Sequence, residues 1–309
     1  MLVLGEVLTS LLPTSAAVPG DAAQRMLGLT AGAPVIRSDR PISYVVSPER
    51  LEGVDCQVPA APDRGVRGIG TVATRAVLTG GHALQASART VAERSRHSRR
   101  VPWSHYLARP GTLQIIGRYQ EEAMAAAFLA GNPKSSGLDL TPIAERTAIR
   151  ARSGTRLARE VPVTSDRITL RWTALLGAGE EELHLRVDSP LHRTVRIATS
   201  ACGLADVVAL CESLALHDWL LTTLDAILSR APLTGPSEGV VVDRIQPAVD
   251  HLLHLWTPGF RLSRGARDLW DRIDRLAGFD HQWHTSVNRI RDHMAVSTLR
   301  ELDRLGVPR

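Results

Sequence analysis

Gly80-Gly81 lies between two runs rich in β-capable residues, Thr71 to Thr79 and His82 to Thr90. Both glycines accept positive φ without steric cost, and two β runs joined by such a pair read as a hairpin. That hairpin commits the first part of the chain to a sheet. Alanine dominates both runs, so alternation is weak and does not fix the register. Leu2 to Thr9 and Ile42 to Ser47 are further Val/Leu/Ile runs set off by Pro, Gly, Ala and Asp. Pro59 to Asp63 reads as a break.

Helical signals begin after Pro110-Gly111. Thr112 offers a cap, Leu113 to Ala130 is rich in helix formers, and Gly131 ends the run. Thr141-Pro142 opens a second helix, with proline where its missing N–H costs nothing. Alternation then returns in Ile168, Leu170, Trp172 and Ala174, in Leu183, Leu185 and Val187, and in Val195 and Ile197. Turn residues at Gly177 to Glu180 and Asp188 to Pro190 separate these runs, which together predict an antiparallel β-meander with one buried face.

Residues 201–309 read as helical. Leu204 to Leu228 is long and mostly apolar, and Pro247 is expected near the first turn of the next helix, which stops before Pro258-Gly259. Leu269, Ile273 and Leu276 mark one helical face, with Asp268–Arg272 and Asp271–Arg275 as exposed pairs. Ser286 to Leu305 forms the last helix, closed by Gly306 and Pro308. The order β, α, β, α predicts an α+β fold. Its parts are an antiparallel β-rich N-terminal region (1–110), helices plus meander (111–200) and a helical C-terminal region (201–309), in one or two compact domains.

Several chemistries are excluded by residue type. Lys134 is the only lysine among 37 basic residues. A Schiff base, a P-loop anchor or a buried general-base amine would have to use it, and it sits in a predicted loop, Gly131 to Gly137. The arginine bias is what a GC-rich genome produces. The three cysteines are scattered, with Cys202 and Cys211 nine apart, which suits neither CxxC chemistry nor a zinc knuckle. No GxSxG, HExxH, Walker or SxxK pattern occurs. Glu121-Glu122 and Glu180-Glu181-Glu182 are contiguous, and adjacent side chains point apart, so these read as surface charge. Met1 to Leu8 lacks a basic leader, and Leu204 to Leu228 is interrupted by Asp206, Glu212, His217, Asp218 and Asp225. A cytoplasmic protein with no transmembrane segment, reduced thiols and no cofactor is the expectation.

Charge is concentrated. The formal net charge is +5. The window 89–109 holds Arg89, Arg94, Arg96, Arg99, Arg100 and Arg109 against Glu93 alone, which is also +5. The remaining 31 basic residues (37 − 6) face 31 acidic ones (32 − 1). Arg94, Arg96, Arg99 and Arg100, with Trp103 and His105 beside them, form the candidate partner- or anion-binding segment. Its mixture of cations and aromatics suits phosphate contacts with base stacking, but no nucleic-acid module accompanies it.

Two weaker motifs complete the reading. Gly68-Ile69-Gly70-Thr71-Val72-Ala73 matches the dinucleotide fingerprint, with Glu93 twenty residues beyond Ala73. That fingerprint needs a buried strand before it and a helix after it, and the Pro59 to Arg64 stretch offers no apolar strand. Asp250 to His254 and Asp280 to His284 repeat DHxxH. His251, His254, His281 and His284 are therefore weak metal candidates, each pair sharing a helix face.

Four segments carry a resemblance: Leu4 to Val7; Ile42 to Leu51; Gly68 to Thr74 continuing through Gln85 to Arg89; and Pro102 to Leu107. In these the chain resembles an uncharacterised actinobacterial family known from streptomycetes. The resemblance implies no established activity and transfers no catalytic residue. It implies a conserved gene cluster that also holds a variant P-loop protein and a methyltransferase-like protein. The expected function is accordingly a non-enzymatic subunit that binds protein partners from that cluster. Nucleic-acid or phosphate-ligand binding through 89–109 is the alternative, and a metal site on the DHxxH helices is the third reading.

Overall fold

A computed structural model describes the chain apart from residues 62–63, 132–136, 154–162, 164, 231–238 and 305–309, and apart from the side chains of 239–244 and 300–304. The Lys134 loop and the end expected for the last helix at Leu305 lie outside the described residues. In chain order the elements are β1 (Leu2–Leu11), α1 (Gly20–Leu27), β2 (Ile36–Ser38), β3 (Tyr44–Val46), β4 (Arg50–Ala61), β5 (Arg64–Thr79) and β6 (Ala83–Arg94). Then come α2 (Trp103–Leu107), β7 (Thr112–Ile116), α3 (Glu121–Leu129), α4 (Thr141–Ser153), β8 (Ile168–Leu176), β9 (Glu182–Ser189) and β10 (His192–Thr199). The chain ends in α5 (Leu204–Ser229), α6 (Gly239–His251), a 3-10 turn at Leu253–Leu255, α7 (Arg264–Ala277) and α8 (Phe279–Arg304).

The fold is α+β, built on one mixed sheet of ten strands. The strand order is β2-β3-β5-β7-β6-β1-β8-β10-β9, with β4 also paired to β5. β1 is central and fully sandwiched. Its Leu2, Leu4 and Leu8 join a core with α1, α3 and α4, while Val3 and Val7 join a second core with α5 and α7. Successive side chains point to opposite faces, so a strand covered on both sides reads as a continuous apolar run. α5 is long and apolar enough to cross a membrane by length and composition, yet most of it is buried as the core helix of the second face.

The hairpin forms as expected, with Gly80 and Gly81 at φ 59° and 70° between β5 and β6. Its strands stay paired only from Thr79–Ala83 to Ala73–Arg89. Beyond that they splay, and β7 fills the gap, antiparallel to Arg67–Gly70 of β5 and parallel to Val91–Arg94 of β6. Gly70 makes this possible, since a Cβ there would lie 2.0 Å from the Thr112 carbonyl oxygen.

Several expectations are corrected. The three strands after residue 167 are not a meander: β10 lies between β8 and β9 and runs parallel to β8. Burial explains the order, because β10 is buried along most of its length while β9 is largely exposed and takes the edge. Thr112–Ile116 is a strand rather than the start of a helix, because the splayed edges of β5 and β6 supply its ladder. β4 continues through Pro59 to Ala61, and the register shift at Pro59/Ala61 accommodates the proline as a bulge. Pro247 falls inside α6 beyond its first turn, α8 begins at Phe279 rather than Ser286, and Leu276 is exposed. The regions 1–110 and 111–200 share one sheet through the β1–β8 pairing.

Candidate functional site

The basic segment leaves the sheet at the end of β6 and is held down at intervals. Ser95 N donates to the Ile115 carbonyl at 2.8 Å, and Val101 N donates to the Tyr106 hydroxyl at 3.2 Å. Trp103 packs over Gly53 of β4, where a Cβ would come within 3.1 Å of the ring, and meets Tyr106 edge-on at 5.6 Å. His105 Nε2 lies 3.0 Å from the side-chain amide of Gln114. Trp103 and His105 therefore clamp α2 onto the sheet, and Tyr106 is buried. The aromatics that suggested base stacking are used internally.

The arginines of the segment divide into two sets. Arg89 donates to Glu49 at 2.5 Å, and Arg109 to Glu93 at 3.2 Å. Arg100 sits 5.5 Å over the Trp103 ring and 3.8 Å from Asp55, whose carboxylate is already gripped by both arms of Arg67 at 2.8 Å. Arg94, Arg96 and Arg99 are exposed and meet no carboxylate among the described residues.

Arg94 does not stand alone. The end of β4, the start of β5, the end of β6 and the loop after β7 surround a cleft of about 680 Å³ lined by Arg64, Arg94, Arg118, Tyr119, Gln120 and Ala123, among others. The wedge of β7 between β5 and β6 brings these ends together. Arg64 Nη2 donates to the Arg118 carbonyl at 3.5 Å, and Tyr119 donates its hydroxyl to the Ala92 carbonyl at 3.4 Å. Burial pushes the Tyr119 phenol up, with Glu121 and Glu93 adding to the effect. Those two acids are engaged elsewhere, Glu93 by Arg109 and Glu121 by the N-terminal ammonium at 3.3 Å. Among the described residues, no carboxylate pairs with Arg64, Arg94 or Arg118. Three guanidiniums around one concavity focus positive potential there. Sequence reading selected Arg94 and missed Arg64 and Arg118, which only the splayed hairpin brings beside it.

The other motifs resolve differently. The GxGxxG glycines lie inside β5, with no helix after them. His251 and His254 face the hairpin turn. His251 Nδ1 lies 3.3 Å from His82 Nε2, and the His254 ring centroid is 6.2 Å from that of His82. His281 and His284 are exposed on α8 and do not join them; His284 Nδ1 donates to the Asp280 carbonyl at 2.8 Å. Among the described residues, no group of three His, Cys, Asp or Glu side chains is placed to hold a metal. The Cys211 thiol is raised well above its ordinary range by complete burial, and Cys56 is pushed up to about 11.

A buried ion cluster went unread in the sequence. Glu212, in the most apolar helix, accepts two bonds from Arg75 at 2.7 and 2.8 Å, one from Arg261 at 3.0 Å and one from Ser87 at 2.9 Å. Gln85 donates to its backbone carbonyl at 2.8 Å. The guanidiniums outweigh desolvation and hold the carboxyl at about 2. Every bond of this cluster is internal, and it ties the hairpin to α5 and to the loop before α7. An acid within an apolar helix was the available signal. Comparison of the chain with protein-family models, with curated proteins and with solved structures yields no match in any of the three.

Proposed function

We propose that the chain works as an interaction subunit, docking an acidic surface of a partner protein on Arg94, Arg96, Arg99 and Arg100. The observation that carries this reading is the contrast between Arg94, Arg96 and Arg99 and the arginines that are paired within the fold, with Arg100 only at 3.8 Å from an Asp55 already held by Arg67. Arg37, Arg67, Arg75, Arg89, Arg109, Arg146, Arg150, Arg171, Arg193 and Arg261 all engage carboxylates within the fold. Arg94, at the end of β6, and Arg96 and Arg99, on the following loop that Ser95, Val101 and Trp103 hold in place, are left to solvent. A clamped loop loses less conformational entropy on docking than a free one. Guanidiniums offer forked bonds to carboxylates. The protein partners implied by the gene-cluster resemblance fit such a role. Nucleic acid is disfavoured because Trp103 and Tyr106 are committed to packing.

Co-purification from the native host, with wild type beside Arg96→Glu/Arg99→Glu, tests the proposal. The wild type should bring down a stoichiometric partner at low salt, and the charge reversal should lose it while keeping the wild-type melting temperature. Emergence of the wild type alone under gentle conditions, or capture unaffected by the reversal, would contradict it.

A further inference from the structure

The arginine cleft has a character that docking on the loop does not explain. It is a concavity, and two of its three cations, Arg64 and Arg118, lie outside the basic segment. Its volume, about 680 Å³, falls in the range of small-molecule pockets. A protein surface meeting exposed loop arginines needs no such space. We infer that the cleft formed by Arg64, Arg94, Arg118 and Tyr119 is a binding site for a soluble, phosphate-bearing small molecule.

The chemistry of the lining points to that class. Three arginines line it from three separate places in the fold, the start of β5, the end of β6 and the loop after β7, so a polyanion in the cleft meets positive charge from several sides. Each fork matches the geometry of a phosphate oxygen pair. Their charge is not neutralised by carboxylates among the described residues. Tyr119 supplies an aromatic wall, and its hydroxyl bond to Ala92 fixes it to β6. Ala60, Ala61 and Ala123 complete an apolar side that keeps the cleft open, because larger side chains there would fill it. Gln120 precedes α3 and makes no side-chain cap, so the first N–H groups of that helix lack a side-chain acceptor at the cleft rim. Glu122 in that first turn opposes an anion, and the Met1 ammonium offsets its neighbour Glu121. Among the described residues, the three arginines of the lining exceed this opposing charge.

The inference does not rest on the protein-docking proposal. Arg64 and Arg118 test the cleft, whereas Arg96 and Arg99 test the docking loop. Calorimetric titration of the full chain with inorganic phosphate, pyrophosphate and ATP, and co-sedimentation with phosphatidic acid vesicles as the lipid-borne source of the same chemistry, are the experiment. At least one phosphorylated probe should bind with Kd below about 1 mM at low salt, and its affinity should fall as salt rises. Arg64→Gln and Arg118→Gln should each weaken binding by at least about tenfold, whereas Arg96→Glu/Arg99→Glu should have a far smaller effect. Tyr119→Phe keeps the ring and should bind nearly as wild type, while Tyr119→Ala should bind worse. All the substituted arginines are exposed, and an unchanged melting temperature would separate lost binding from lost fold. No binding of any probe at about 1 mM, equal binding by the Arg64 and Arg118 variants, or recruitment only to phosphatidic acid vesicles would each overturn the inference.

Discussion

Glu6 and Glu212 are both fully enclosed, and their surroundings push them in opposite directions. Glu6 has one guanidinium, Arg171 at 3.0 Å, with the Thr141 hydroxyl donating to it, and burial raises its pKa. Glu212 has Arg75 and Arg261 and is held at about 2 against an ordinary 4.5. Glu212 therefore contributes stability that is complete above pH 4.5 and lost as pH falls toward 2, worth about 3 kcal/mol. Glu6 has the opposite sign and favours folding more as it takes up its proton. Glu212→Ala leaves two mostly enclosed guanidiniums without their carboxylate and should cost about 3–5 kcal/mol in urea denaturation at neutral pH. His217 is buried between Trp256 and Trp270, and desolvation lowers it to about 4. A depressed histidine costs stability as pH falls from 6.5 to 4, here by about 3 kcal/mol at pH 4. His82 is also lowered to about 4, by burial and then by His251 and His254. His217→Phe should flatten the stability profile between pH 6.5 and 4, and an unchanged slope in chemical denaturation would refute this assignment. Residue type alone did not separate Trp103 and His105 from ligand-facing aromatics, because their partners, Gly53 and Gln114, lie on other strands.

At the scale of elements, the splayed hairpin does the most. Gly80 and Gly81 announced the turn, and alternation announced β8, β9 and β10, because both signals are local. The insertion of β7 was not legible: Leu113 to Ala130 has helical composition, and only the free edges of β5 and β6 make Thr112–Ile116 a strand. The exchange of β9 and β10 in the sheet was hidden for the same reason, since strand order depends on burial across the sheet. Gly70→Ala should drive β7 from its slot and cost several kcal/mol, about 3 or more. Hydrogen exchange should show Leu113 to Ile116 losing protection. Gly179→Ala is the control, because nothing lies within 4 Å of its Cβ and its φ is not positive. It should change stability by no more than about 0.5 kcal/mol.

The whole molecule is organised around β1, which pairs with β6 on one side and β8 on the other and is covered by helices on both faces. A fragment of residues 1–110 removes β8 from beside β1 and α5 from its face, and its NMR spectrum should show the narrow dispersion of an unfolded chain; a dispersed spectrum would contradict a shared core. The α+β class was legible because it follows from the order of local patterns. The cleft was legible only in its Arg94 corner, because Arg64 and Arg118 arrive through pairing between distant strands. The claim that unites fold and function is that one arginine cluster is left unpaired for a partner. Arginine-selective modification with phenylglyoxal, mapped by mass spectrometry on the free protein and on the complex isolated from its native host, tests it most directly. Arg64, Arg94, Arg96, Arg99 and Arg118 should react first in the free protein, well before Arg75, Arg171, Arg193 and Arg261, and Arg94, Arg96 and Arg99 should be protected in the complex. Early modification of those four paired arginines, or equal reactivity of Arg94, Arg96 and Arg99 with and without the partner, would contradict it.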